Sequence, residues 1–396
     1  MVNVYAAWPF ALCMIGIFIA ASTPAFKHAA DSTGAGRVVG IDGLRGYLAL
    51  SVYFYHATIY RRYLTDGAWT LTPSAFYTQI GPDGVAMFFI ITGYLFWARL
   101  LARDGRVNMT TLLTGRVFRI APLYLFATAL VVLIAFLHSG FHLLVPAATL
   151  AHELLTWAAL GSIIALPDIN GMPATLLVVA GVYWSLHYEW LFYASLILTR
   201  LIARLGGWHL PIVFACWVGV IYNQALPAFS GFAPWLLLFL SGMLTASLAR
   251  RGWLPVLPRA AGSALIILSL ALQFNAEGWD APTVRLLLMS LDFALIVSGA
   301  TLFGLLAQPA SQRLGAISYG IYLLQGLVLY AVFQTPPLRR FALGTPAHYW
   351  LVLFGAALIL ITVASITHLA IEQPGIALGR RVIAMFKRGF AVRRPA

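Results

Sequence analysis

Long apolar blocks recur along this chain, each close to the length of a membrane-spanning helix and each followed by a short polar stretch. Such blocks leave few folds open. In lipid the backbone must satisfy its own hydrogen bonds, so only helices and closed barrels cross a bilayer. Barrel strands alternate apolar and polar residues. These blocks are continuous, so the pattern predicts an all-α polytopic membrane protein. Of the 396 residues, 61% are hydrophobic and 9% charged, against about a quarter charged in soluble domains.

Spans are expected near 4–20, 44–60, 80–98, 118–138, 184–200, 209–224, 230–248, 258–274, 284–305, 314–333 and 347–369, about 11 in all. The stretch 148–182 is broken by Pro167, Asp168, Asn170 and Gly171. It reads either as paired spans or as a re-entrant hairpin lying against protein. Three regions follow: an extra span and cytoplasmic loop at 1–40, a membrane domain at 41–374, and a basic tail at 375–396. No Lys or Arg precedes Lys27, so 4–20 lacks the charged start of a secretory signal and reads as an uncleaved span; the small, polar AST at 21–23 leaves a cleaved segment as the alternative.

The net charge of +13 does not point to nucleic acid, because the basic residues sit in short loops between apolar blocks. With the amino end outside and the carboxyl end in the cytoplasm, 20 of the 25 Lys and Arg fall inside. Arg61, Arg62, Arg285, Arg339 and Arg340 fall outside. Positive residues gather on the cytoplasmic side of membrane proteins, so this is the expected orientation. The tail is expected to lie on anionic membrane lipids.

Ionisable side chains inside apolar blocks are costly and mark function. GLRGYLALSVYFYH, residues 43–56, carries Arg45 and His56 eleven residues apart. That is three helical turns, about 16 Å along one face. Arg45 begins at the cytoplasmic end and either binds a ligand or snorkels to headgroups. His56 lies deeper, toward the outside, where a neutral imidazole suits general-base work; a satisfied core histidine is the plainer reading. Asp42 either pairs with Arg45 or caps the helix start. Asp83 lies at the outer mouth, to contact an acceptor or to cap a helix at 84–98.

Arg116 and Arg119 share a helix face at a cytoplasmic boundary. They serve either as positive-inside anchors or as a fork-shaped site for phosphate. In YWSLHYEWLFY, residues 183–193, Trp184 fits an interfacial aromatic belt but Glu189 does not. A carboxylate there needs a partner, and Ser185 lies on roughly the same face. Ser318, Tyr319, Tyr322 and Gln325 either line a cavity or hold helices together. Asp292 has no basic neighbour in sequence. No phosphate loop, HExxH, GxSxG or paired-cysteine spacing is present, so neither a metal nor a covalent serine is indicated.

In order, these motifs resemble the acyltransferase 3 family of integral membrane O-acyltransferases. Arg45 and His56 match its Arg-x10-His signature, and GVAMFFIITGY at 84–94 its glycine-rich FF segment. RVFRIAPLY at 116–124, WSLHYEWLFY at 184–193, SYGIYL at 318–323 and Glu372-Gln373-Pro374 match the remainder. Gln325 stands where members often carry a histidine, and Ala86 where they carry a polar residue. The span before residue 40 is unusual for the simple form of the family.

The resemblance implies a bacterial inner-membrane enzyme that takes an acyl group, usually acetyl, from cytoplasmic acyl-CoA. The acceptor would be a hydroxyl of an extracytoplasmic or lipid-linked carbohydrate. No permanently bound cofactor is expected. His56 and Glu189 would be catalytic. Arg45, Arg116 and Arg119 would bind the CoA phosphates, with Asp42, Asp83, Trp184, Ser185, Tyr322 and Gln325 binding substrate or supporting the site. Direct transfer and a transient acyl-histidine are both open. The competing reading is a transporter or flippase of a glycolipid or small glycosylated solute, its polar residues lining a path.

Overall fold

A computed structural model describes residues 3–26, 38–223, 231–275 and 282–392. Lys27, Arg37, Arg393 and Arg394, counted above for the charge bias, lie outside them. Apart from one isolated bridge between Ile169 and Met172, the regular secondary structure of the described residues is helical. In chain order the α-helices are α1 (Trp8–Ser22), α2 (Val39–Asp66), α3 (Ala75–Leu101), α4 (Met109–His138) and α5 (Ala147–Ala158). Next come α6 (Trp184–Ala203), α7 (His209–Asn223), α8 (Ala233–Arg251), α9 (Arg259–Asn275) and α10 (Pro282–Val297). The last are α11 (Pro309–Ala316), α12 (Ser318–Gln334), α13 (Pro336–Gly344), α14 (Pro346–Thr367) and α15 (Gln373–Val392).

The all-α membrane class holds, but the count of about 11 full spans does not follow from these helices. Among the described residues four stretches are long and apolar enough to cross a bilayer alone: α3, α4, α8, and the run Pro346–Lys387 that joins α14 to α15. A fifth is added if α11 and α12, broken at Ile317, form one span. Helices α2 and α6 are long enough but too polar; α1, α7, α9 and α10 have 15 to 17 residues. At 1.5 Å per residue their described parts reach about 22–26 Å, beside a hydrocarbon core about 30 Å thick.

The chain divides into two compact units, Met1–Val107 with Ser195–Ser318, and Asn108–Ala194 with Tyr319–Ala396. In the first, helices meet backbone to backbone. A methyl group on Gly242 of α8 would sit 2.0 Å from the Ile90 carbonyl oxygen of α3. One on Gly315 of α11 would sit 1.8 Å from the Asp42 carbonyl oxygen of α2. Only glycine permits such approach, a device common in membrane packing. Around these seams the indole of Trp97 donates to Ser247 Oγ (2.8 Å) and that of Trp217 to Ser241 Oγ (2.9 Å).

In the second unit, α4 begins at Asn108, whose side chain accepts from the Thr111 amide at 2.9 Å and caps the helix. The stretch 148–182 forms one short helix, α5, and then irregular chain with a 3-10 turn at Thr175–Val179. Twelve residues span about 18 Å, too short to cross, so the paired-span alternative is not what forms. Asn170, Ala174 and Ala180 take left-handed backbone conformations there. Irregular backbone survives at membrane depth only when protein satisfies it. Here the Asn170 amide donates to Glu153 Oε2 (2.9 Å), and its side chain binds the Leu144 amide and the His142 carbonyl. Gly326 of α12 seats against Val179, where a Cβ would come within 2.2 Å of backbone.

Candidate active site

Arg45 and His56 lie on the unbroken helix α2, so the three-turn spacing is realised. Asp42 sits in its first turn, where a negative side chain complements the helix dipole. His56 is half-buried. Its imidazole touches the Tyr55 ring (centroids 4.8 Å apart) and lies nearly parallel to the indole of Trp69 (6.4 Å, 25°). Trp69 reaches His56 because α2 ends on Gly67 with φ of 72°, a left-handed cap that turns the chain back.

Asp83 belongs to the same unit but does not cap a helix. Helix α3 starts at Ala75, several residues earlier than the sequence pattern suggested, which puts Asp83 in its interior. Its Oδ2 accepts from Nη2 of Arg285 on α10 at 2.7 Å. Asp292 of α10 accepts from Ser269 Oγ (3.0 Å) and Gln273 Nε2 (2.9 Å) on α9. That network answers the lack of a basic neighbour in sequence.

The second unit holds a separate polar centre. Tyr193 of α6 donates to Glu189 Oε2 one turn earlier, at 2.9 Å. Arg116 of α4 lies within hydrogen-bonding reach of the same hydroxyl. A cation and a carboxylate from two helices therefore converge on one tyrosine. Arg119 lies one helical turn beyond Arg116 and is half-buried like it. Helix α15 packs against this part of α4, with Gly375 on Pro122 and Gly379 on Phe118. Trp184 packs edge to face on Tyr188 at 5.8 Å.

The hydroxyls of Ser185 and Tyr322 are 2.8 Å apart and share the Val182 carbonyl, at 3.2 and 3.0 Å. Gln325 is fully buried and donates to the Tyr322 carbonyl at 2.8 Å. Tyr319 donates to the Ile120 carbonyl at 2.9 Å. Between α14 and α15 a π-helical turn, His368–Glu372, carries a buried pair, with His368 Nδ1 3.4 Å from Glu372 Oε2. Such turns are frequent at functional sites.

The first unit thus holds Asp42, Arg45, His56 and Asp83. The second brings Arg116 and Glu189 together through Tyr193, and Ser185 and Tyr322 at the Val182 carbonyl, with Gln325 on the Tyr322 carbonyl. Sequence reasoning passed over Trp69 and Arg285. The Gly67 that follows a polar helix end was the available signal for Trp69; nothing local marks Arg285, 202 residues from its partner. Among the described residues no group of three His, Cys, Asp or Glu is placed to hold a metal.

The family model for the acyltransferase domain of acyltransferase 3 matches residues 38–367, from the start of α2 to the end of α14. The chain belongs to the acyltransferase 3 family. As an acyltransferase 3 protein it is an enzyme, which removes the transporter alternative. Glu372 and Pro374 fall just beyond the match. The chain is also similar to the exopolysaccharide production protein ExoZ of Rhizobium meliloti (strain 1021), with 28% identity over 319 residues. That alignment covers 76% of this chain and 91% of the relative. No solved structure matches it.

Proposed function

We propose that this acyltransferase moves an acyl group, acetyl foremost, from cytoplasmic acyl-CoA to a hydroxyl of an extracytoplasmic or lipid-linked carbohydrate. The observation that carries the acceptor class is the likeness, over nearly the whole length of the relative, to a protein named for exopolysaccharide production. We place the enzyme in a bacterial inner membrane, amino end outside and carboxyl end in the cytoplasm, on the distribution of its Lys and Arg.

In this reading Arg116 and Arg119, with Arg45, hold the CoA phosphates through charge-assisted, forked hydrogen bonds. Glu189 and Tyr193 keep the Arg116 guanidinium in place. His56 takes the proton of the acceptor hydroxyl as its oxygen attacks the thioester carbonyl. The carbon–oxygen bond forms, the carbon–sulfur bond breaks, and the proton passes from the imidazole to the departing thiolate. Asp42 and Asp83 support the first unit, and Trp184, Ser185, Tyr322 and Gln325 the second.

The test compares surface and secreted glycans, by mass spectrometry, from cells with and without the gene. Loss of an acetyl increment on one glycan is expected. Identical glycans would overturn the acceptor class. Incubating purified enzyme with labelled acetyl-CoA and no acceptor should label no histidine; a stable acyl-histidine would replace direct transfer with a two-step route.

A further inference from the structure

Trp69 combines a half-buried ring with an indole N–H left open, whereas Trp8, Trp208 and Trp253, whose N–H groups likewise meet no acceptor among the described residues, are exposed. The indole N–H groups of Trp97, Trp157, Trp190 and Trp217 each donate to a protein oxygen, at 2.8, 2.8, 2.7 and 2.9 Å. Trp69 is half-buried, and among the described residues its N–H meets no acceptor. Tryptophans that are packed but keep one polar edge open are suited to ligands with an apolar face and hydroxyls around it.

The ring is nonetheless firmly placed. Tyr60, only 3% exposed, meets it edge to face at 5.7 Å, and Tyr63 does so at 6.0 Å. The loop that carries it is pinned on both sides. Gly67 makes the left-handed cap, and the Arg62 guanidinium donates to the Leu71 carbonyl at 2.6 Å while also holding Asp66. The outcome is a rigid indole beside, and nearly parallel to, the imidazole of His56. A tryptophan that only anchored the helix in the lipid interface would have no need of this turn back onto α2.

We infer that Trp69 is an acceptor-binding residue: its indole face stacks against the apolar face of a pyranose ring, and its in-plane N–H donates to an oxygen of the adjoining sugar. Tyr60 and Tyr63 form the wall behind it. A sugar seated there presents its hydroxyls to His56. The inference rests on the carbohydrate reading above and deepens it by assigning the residue that recognises the sugar. It predicts that the enzyme selects its acceptor by ring shape as well as by sequence of linkages.

The experiment uses full-length protein in lipid nanodiscs. The probe is extracellular polysaccharide from a strain lacking the gene. Two measurements are made on wild type, Trp69→Phe, Trp69→Leu and Trp69→Ala: acetyl transfer with each substrate varied in turn, and binding of the polysaccharide without donor, followed by intrinsic fluorescence. For Trp69→Ala and Trp69→Leu we expect a rise of tenfold or more in acceptor KM, an unchanged KM for acetyl-CoA, and lost binding. Trp69→Phe should keep acceptor KM within a few-fold of wild type. Equal loss toward both substrates, a fall in kcat alone, or binding that survives in Trp69→Ala would overturn the assignment, as would wild-type protein that binds no polysaccharide. Should wild type bind in a Trp69-dependent manner yet transfer nothing, the acyl-acceptor reading fails while the sugar platform stands.

Discussion

The two units solve the same problem with different materials. In the first, regular helices touch through glycines: Gly242 and Gly315 bring backbones together, and hydrogen bonds such as Trp97–Ser247 and Tyr47–Ser311 flank the seams. In the second, the chain after α5 is irregular, and side chains must answer its exposed amides and carbonyls. Asn170, Ser185, Tyr322 and Glu153 do that work. The difference bears on how polar residues in a membrane are interpreted. Where the backbone satisfies itself, polar side chains are not needed to bind it. Where it does not, many polar groups are spent as scaffold.

The sharpest way to break this contrast is at the glycine seams. Gly315→Val should prevent folding, because the new Cβ would overlap the Asp42 carbonyl and α11 cannot move off without unseating α2. Its yield in the membrane fraction should fall at least tenfold, with the remainder aggregated on size-exclusion chromatography. Gly219→Ala, with nothing within 4 Å of the added methyl, is the control and should express like wild type. If both express equally, backbone contact is not what holds the first unit.

His56→Ala comes next in size, acting on activity and leaving the fold intact. Its imidazole lies against the Tyr55 ring and beside the Trp69 indole. Transfer should drop by about 10²–10⁴, the range general-base removal produces, while yield and thermal stability stay at wild type. Parallel loss of stability would return His56 to the core. Within the same unit Asp83 is the exception to the rule, a charge used for structure. Asp83→Ala leaves the Arg285 guanidinium without its 2.7 Å partner. A loss of about 1–3 kcal/mol is expected, restored in part when Arg285→Leu is added. Thermal unfolding of the single and double variants in nanodiscs reads the coupling.

How much of this was legible beforehand follows the same divide. The all-helical membrane class, the continuity of α2 from Arg45 to His56, and the family were open to sequence reading, because apolar run length and helical spacing are local properties. The number of full spans was not. An apolar block shows that a segment avoids water, but not whether it forms one straight helix. The block near 284–305 ends as helix at Val297, and the one near 314–333 is broken at Ile317. Partnerships were least legible. Arg285 reaches Asp83, and Tyr322 reaches Val182, across long stretches of chain. Asp83 looked like a helix start because Gly81 and Pro82 precede it, yet α3 runs through that proline from Ala75.

The smallest effects decide between scaffold and site in the second unit, and two tyrosines separate the cases. Tyr322→Phe removes a hydroxyl that shares the Val182 carbonyl with Ser185. Ser185 keeps its own 3.2 Å contact with that carbonyl, so the loss should be about 1 kcal/mol of stability with little change in kinetics. Tyr193→Phe removes a hydroxyl on which Glu189 and Arg116 converge. If Arg116 binds donor phosphate, that variant should raise the KM for acetyl-CoA about three- to tenfold, equivalent to about 1 kcal/mol, at constant acceptor KM. A shift in stability alone, matching Tyr322→Phe, would make the Arg116–Tyr193–Glu189 cluster one more brace for the fold. The donor would then have to be held by other basic residues, such as Arg119 and the exposed Arg380 and Arg381 on α15.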